Sequence, residues 1–135
     1  MTRLDRLLGD LGRYVGALRE LGAIPREVFL SNSDKIGNAK YHFVIAIECC
    51  VDIANHIIAS EGFRFPKDNA DSFAVLIGEG IIGADQRDRL RAMAQFRNRL
   101  IHLYGEIDDA RVCDFLQDSL GDLERFARDV ASHDW

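Results

Sequence analysis

The stretch from Tyr41 to Ala59 constrains this chain more than any other part of it. It is long and apolar enough to raise the question of a membrane span. His42, Glu48, Asp52, Asn55 and His56 interrupt it, and that much polarity argues against a lipid-facing helix. A helix that is apolar around most of its circumference, and not in lipid, has to be wrapped by other helices. Tyr41–Ala59 is therefore expected to be the buried core helix of a helical protein.

The rest of the chain supplies the wrapping. Leu4, Leu7, Leu8, Leu11, Val15, Leu18 and Leu21 recur at three- and four-residue steps, an amphipathic stripe ended by Gly22. Pro25 opens a short segment to about Leu30. Ser31 or Ser33 is then placed to cap the long core helix, which Gly62 and the loop Phe63-Arg64-Phe65-Pro66 stop after about Ser60. A shorter helix is expected from Asn69 or Asp71 to Ile77, followed by a turn at Gly78, Gly80 and Gly83. The next helix starts at Ala84 or Asp85 and buries Leu90, Met93, Ala94, Leu100 and Ile101, with Gly105 breaking it just after Tyr104. Val112, Phe115, Leu116, Leu120, Leu123, Ala127 and Val130 predict one continuous last helix from about Asp108 to Ala131. No stretch alternates with the period of a strand. The expectation is an all-α antiparallel bundle, four main helices plus one or two short ones, forming a single domain over residues 1–135.

Cys49, Cys50 and Cys113 are odd in number and lack metal-ligand spacing, so they read as reduced packing residues of a cytoplasmic protein. Met1-Thr2-Arg3-Leu4-Asp5 already carries helical periodicity and has no signal-peptide apolar core. The net charge of −5 does not suggest a nucleic-acid binder. Its distribution does. Arg87, Arg89, Arg91, Arg97 and Arg99 face one acid, Asp88, in a thirteen-residue stretch, whereas the segment from Glu106 onward is strongly acidic. A basic strip of this kind is either a solvated helix face or a surface for a phosphate chain.

The candidate chemistry lies at the end of that strip, in Arg97-Asn98 and His102-Leu103-Tyr104. Asn98 and His102 are one helical turn apart, so the amide is within reach of the imidazole. Arg97 and His102 are about 140° apart around a helix axis, and one straight helix does not aim both at one small ligand. They converge only if the helix ends near His102 or a second copy faces it across a two-fold axis, of which the second is the expectation. Two Arg/His pairs in one cleft would suffice to cleave RNA without a metal. A base takes the 2′-OH proton, the oxygen attacks the adjacent phosphorus, and an acid protonates the leaving 5′-oxygen. Histidine serves in either role, and a fixed guanidinium holds the phosphorane charge.

Arg97-x4-His102-x-Tyr104 resembles the Arg-x4-His-x-Tyr motif of the HepT-like toxins, a branch of the HEPN superfamily. Glu48-x-x-x-Asp52-Ile53-Ala54-Asn55-His56-Ile57 is similar to that family's long helix, and Asp71-Ser72-Phe73 is a third, weaker match. The resemblance covers essentially the whole chain and the three segments fall in family order. It implies a homodimeric, metal-independent ribonuclease toxin acting on tRNA or mRNA, with Arg97 and His102 catalytic and Asn98 supporting. It further implies a partner, an MntA-like minimal nucleotidyltransferase antitoxin, that moves AMP from ATP onto Tyr104. No cofactor is expected in the chain itself, and Arg91 and Arg99 are candidate RNA contacts. Glu48 and Asp52 form a polar line on the apolar helix. With one histidine nearby they are read not as metal ligands but as structural partners for an arginine of the basic helix. Two other classes fit the same bundle: a non-catalytic substrate- or nucleotide-binding subunit of a two-component nucleotidyltransferase, and a dimerisation adaptor with a degenerate motif.

Overall fold

A computed structural model describes residues 2–135, apart from the side chain of Tyr104. Four of the helix starts follow side-chain capping chemistry. α1 (Arg3–Gly22) begins at Thr2, whose hydroxyl accepts from the Asp5 N–H at 3.1 Å while the Asp5 carboxylate accepts from the Thr2 N–H at 3.4 Å. Each side chain thus satisfies a backbone donor that the first turn cannot. The short α2 (Arg26–Leu30) follows Pro25. The long α3 (Ser33–Glu61) is capped by Asn32 rather than by Ser31 or Ser33, its side-chain oxygen accepting from the Lys35 N–H at 3.1 Å. Gly62, at φ 71°, ends α3 in the left-handed conformation that a side chain disfavours. Asp68 caps α4 (Asn69–Gly78).

Past a 3₁₀ turn at Ala84–Gln86, α5 spans Arg87–His102. The expected last helix is two. α6 (Asp109–Asp118) ends at Ser119, whose φ of −115° departs from the helical value, and α7 (Leu120–Ser132) follows it. The Ser119 carbonyl accepts from the Asp122 N–H at 3.1 Å, a three-residue step tighter than the α-helical four. Gly121, a poor helix former, sits just beyond the break. The apolar stripe continues in register through the break, with Leu116, Leu120 and Leu123 all buried, which is why periodicity alone does not reveal it.

α3 touches every other helix. By length and composition it could cross a membrane, yet Phe43, Ala46, Ile47, Ile53, Ala54 and Ile57 are buried among its neighbours. It is the core helix that the sequence led one to expect. α1 runs antiparallel to it: Arg3 lies in the field of Asp52, and the Cys49 thiol donates to the Leu7 carbonyl at 3.3 Å. All three cysteines are buried and unpaired with one another. Burial, then the charges of Asp10 and Asp52, pushes the Cys49 thiol up to about 11, and burial raises that of Cys50 as well, so neither is a ready nucleophile.

An aromatic cluster joins α3, α5 and α6. Phe96 stacks on Phe115 with ring centres 3.9 Å apart and meets Phe43 edge-on at 5.3 Å. At the other end of the bundle Phe73 of α4 packs edge-on against Phe126 of α7 at 5.5 Å. Bidentate pairing of Arg125 with Asp85, and the Gln86 amide donating to Asp129 at 2.6 Å, fasten the start of α5 to α7. α5 is therefore anchored at its start by polar contacts and near its end by Phe96.

Candidate functional site

With the Phe96 ring in the core, the next residue of α5 must turn sideways, toward the polar line of α3. Arg97 Nη2 donates to Glu48 Oε1 at 2.6 Å, and Arg97 Nη1 donates to Asn98 Oδ1 at 3.1 Å. The guanidinium is thereby held at both of its nitrogen tips. Its side chain is 21% exposed, and Nε is buried with no acceptor among the described residues. Glu48 itself is fixed by its neighbours on α3, since Ile47 and Cys49 are both buried. One turn further on, Asp52 is exposed and makes no bond to Arg97. Its carboxyl is raised above the usual carboxylate range, first by desolvation and then by the Glu48 charge, while Arg3 and Arg97 oppose the shift. Arg97 thus sits in the field of two carboxylates and is hydrogen-bonded to one.

α5 does not run on to Gly105. It ends at His102, because Leu103 leaves helical geometry at φ −130°, ψ 35°, its N–H still bonded to the Arg99 carbonyl at 2.7 Å. A 3₁₀ turn over Tyr104–Glu106 follows, closed by the Glu106 N–H on the Leu103 carbonyl at 2.8 Å. His102 is exposed, with no hydrogen bond or ion pair among the described residues. Five residues apart along α5, Arg97 and His102 are separated by about 140° around its axis, and no hydrogen bond joins them among the described residues. Asn98, placed by spacing within reach of His102, turns to Arg97 instead, because a guanidinium donor offers its carbonyl oxygen the stronger, charge-assisted bond. The AMP-accepting role that the resemblance gives to Tyr104 falls on a side chain outside the described part of the structure. Ile101 and Leu103, on either side of His102, are 42% and 47% exposed, an apolar margin around the imidazole.

Arg91 and Arg99 are exposed and make no ion pair among the described residues. Neither joins the Arg97–Glu48 cluster. The residue the sequence reading passed over is Phe96, which sets the rotation of α5 and with it the direction of Arg97. Its signal was available: Met93, Phe96 and Leu100 follow three- and four-residue steps and all are buried. Among the described residues no three His, Cys, Asp or Glu side chains gather as a metal site. The arrangement offers a pre-oriented guanidinium with donors remaining for an anion, and a solvent-accessible imidazole elsewhere on the same helix.

Comparison with known proteins places the chain in context. The profile of the Ribonuclease HepT-like family matches residues 11–130. The mRNA nuclease HepT of Shewanella oneidensis is 35% identical over 79 residues, which are 58% of this chain and 59% of that protein. The aligned stretch thus spans less than two thirds of that relative. Among solved structures, a tri-AMPylated Shewanella oneidensis HEPN toxin in complex with its MNT antitoxin superposes with a TM-score of 0.89 at 23% identity, covering 98% of this chain and 100% of that one. A toxin–antitoxin structure with AMP-PNP gives 0.88 at 22%, over 96% and 98% of the two chains. The cytosolic protein YutE of Bacillus subtilis, of unknown function, gives 0.83 at 18%, over 96% and 87%. At such identities the structures establish the fold.

Proposed function

Given that the chain belongs to the ribonuclease HepT-like family, we propose that it is an endoribonuclease that needs no metal or other cofactor, the toxin half of a cytoplasmic toxin–antitoxin pair. The observation that carries this reading is Arg97, braced by Glu48 and Asn98 with donors to spare. A guanidinium fixed before substrate arrives suits the stabilisation of charge developing on phosphorus. His102, exposed and about 140° around α5 from Arg97, is read as not completing that site within one protomer. A homodimer would complete it: the imidazole of each copy faces the arginine of the other across a two-fold axis, and two histidines divide the work of base and acid. RNA is cut by attack of its own 2′-oxygen on the adjacent phosphorus, the 5′-oxygen leaving with the proton supplied by the acid. The product ends in a 2′,3′-cyclic phosphate.

The antitoxin would be an MntA-like minimal nucleotidyltransferase, and Tyr104 its target. An AMP group two residues from His102 would add bulk and negative charge where substrate phosphate has to bind Arg97. Support comes from a HEPN toxin of the same fold, which is tri-AMPylated and bound to an MNT antitoxin.

The test is cleavage by the purified dimer of single-stranded RNA in EDTA, with the product end identified by mass. Wild type should cut and His102→Ala should not. Activity that appears only on adding a divalent ion overturns the metal-free mechanism. Equal harmlessness of the two proteins when expressed without a partner overturns the toxin assignment. Co-expression with the nucleotidyltransferase should add AMP to the intact mass, and Tyr104→Phe should lose that addition.

A further inference from the structure

A groove of about 570 Å³ lies between α4 and α5; neither Arg97 nor Glu48 lines it, although Asn98, which bonds Arg97, does. Lys67, Arg87, Arg91 and Asn98 are on its walls, and Phe73 and Ile77 contribute apolar surface. Asp68 and Asp71 also line it and set two negative charges against the cations. Both carboxylates are already engaged. Asp68 caps α4 by accepting from the Asp71 N–H at 2.7 Å. Asp71 accepts two bonds from Arg64, at 2.7 and 2.9 Å, and a third from the Lys67 backbone N–H at 2.8 Å. The side chains of Arg87 and Arg91 make no hydrogen bond or ion pair among the described residues, and that of Lys67 makes no ion pair, although its charge acts on Asp71, which Arg64 already holds. The same bonds to Asp71 pin the loop that carries Lys67, so this rim is held in place. Two residues upstream of Lys67, Phe65 is 91% exposed.

Helical geometry connects this groove to the histidine. At about 100° per residue, Arg87, Arg91, Asn98 and His102 fall within roughly 60° of one another around α5. They form one line about 22 Å long from the start of the helix to its end. Arg97 is turned away from that line, and Arg99 does not line the groove. We infer that the α4–α5 groove is the track for the single-stranded RNA flanking the cleaved bond. Lys67, Arg87 and Arg91 bind its phosphates, Phe65 offers a face to a base, and Asn98 marks the passage from track to His102. Two arginines without an ion pair, a lysine whose neighbouring acid is already held by Arg64, and an exposed aromatic ring on the same loop as that lysine are what a flexible polyanion with stackable bases requires. This substrate path presupposes the nuclease activity proposed above, and its test is built to fail separately.

The experiment measures binding of poly(U) and of the dinucleotide UpU to the full chain carrying His102→Ala, across a salt series. Arg87→Glu/Arg91→Glu should weaken poly(U) binding on the order of tenfold or more and flatten the salt slope by about 1.4, the value for two lost single-strand phosphate contacts. The preference for poly(U) over UpU should shrink with it. Arg87→Lys/Arg91→Lys should keep most of the slope, because the charge is retained. Arg128→Glu on α7, set against the single Arg91→Glu, which changes net charge equally, controls for net charge and should change binding little. A loss in Arg128→Glu equal to that in Arg91→Glu, or unchanged poly(U) binding in the double charge reversal, overturns the track and leaves the nuclease reading standing. A change of oligomeric state in the double variant also overturns it, by making the groove a contact between copies. Groove-dependent binding by a wild-type protein that cuts no RNA keeps the track and removes the nuclease.

Discussion

Two regions of α5 are built in opposite ways. Around Arg97 the side chain is mostly enclosed, bonded to Glu48 across to α3 and to Asn98 beside it, with the Phe96 ring fixing the backbone beneath. At His102, five residues later, the helix has run out and the side chain is exposed. A phosphate clamp gains from being set before substrate arrives, because its dipoles then need no reorganisation. A proton-transfer group gains from access, since it must meet both solvent and the reacting oxygen. On the proposed mechanism, the contrast means that one protomer presets the clamp and leaves proton transfer to be completed by a second copy.

The contrast can be broken from either side. His102→Ala removes the exposed half, and RNA cleavage should fall by about 10²–10⁴-fold, the usual worth of an acid–base group. Its unfolding midpoint should barely move, since exposed substitutions stay within about 0.5 kcal/mol. A large loss of stability in that variant would show that His102 has a packing role the protomer hides. Phe96→Ala attacks the enclosed half through its foundation. Urea titration should report a loss of about 3–5 kcal/mol, the range for emptying a buried aromatic site. A markedly smaller loss would mean that α5 is held without the aromatic cluster.

Glu48→Gln sharpens the comparison, because it keeps the shape and removes the charge. With Glu48 42% and Arg97 21% exposed, solvent screening keeps the stability change to about 1 kcal/mol. Cleavage should suffer more than stability, as Arg97 loses its fixed direction. Equal, small effects on both would reduce Glu48 to a bystander. The smallest effect expected is at the groove rim. The Arg64 guanidinium, then the Lys67 backbone N–H, hold the Asp71 carboxyl well below the usual carboxylate range. A carboxyl lowered in the folded state stabilises fully above its unfolded value, near 4, and loses that contribution as pH falls toward the folded one. Asp71→Asn should therefore be less stable than wild type at neutral pH, with the gap narrowing below about pH 4 in paired thermal melts. A gap independent of pH would assign the effect to shape rather than charge.

Much of the fold is legible in the chain because burial imposes a period. The α1 stripe, the apolar α3 and the stops at Gly22 and Gly62 follow from side-chain spacing and from one glycine's left-handed turn. The break at Ser119 is not legible, because Leu116, Leu120 and Leu123 stay in phase through it. The end of α5 was misplaced for a related reason. Gly105 is the obvious breaker, but Leu103 ends the helix, a matter of backbone angle rather than composition. In the candidate site, an acid of α3 facing an arginine of α5 could be anticipated from the polar line on an apolar helix. That Glu48 rather than Asp52 takes the bond, and that Asn98 joins Arg97 instead of His102, depends on how far α5 is rotated.

The sequence by itself determined that this chain is helical, which helix lies at the centre, and which residues carry a nuclease-like motif, because each is a property of local spacing. Only the tertiary structure decided that Arg97 is braced and His102 is not, and that Lys67, Arg87 and Arg91 share a groove with the nearby acids already engaged. Those outcomes depend on the rotation and offset between packed helices. Phe96, Phe43 and Phe115 set them by filling one volume together, and no single segment of the chain encodes that.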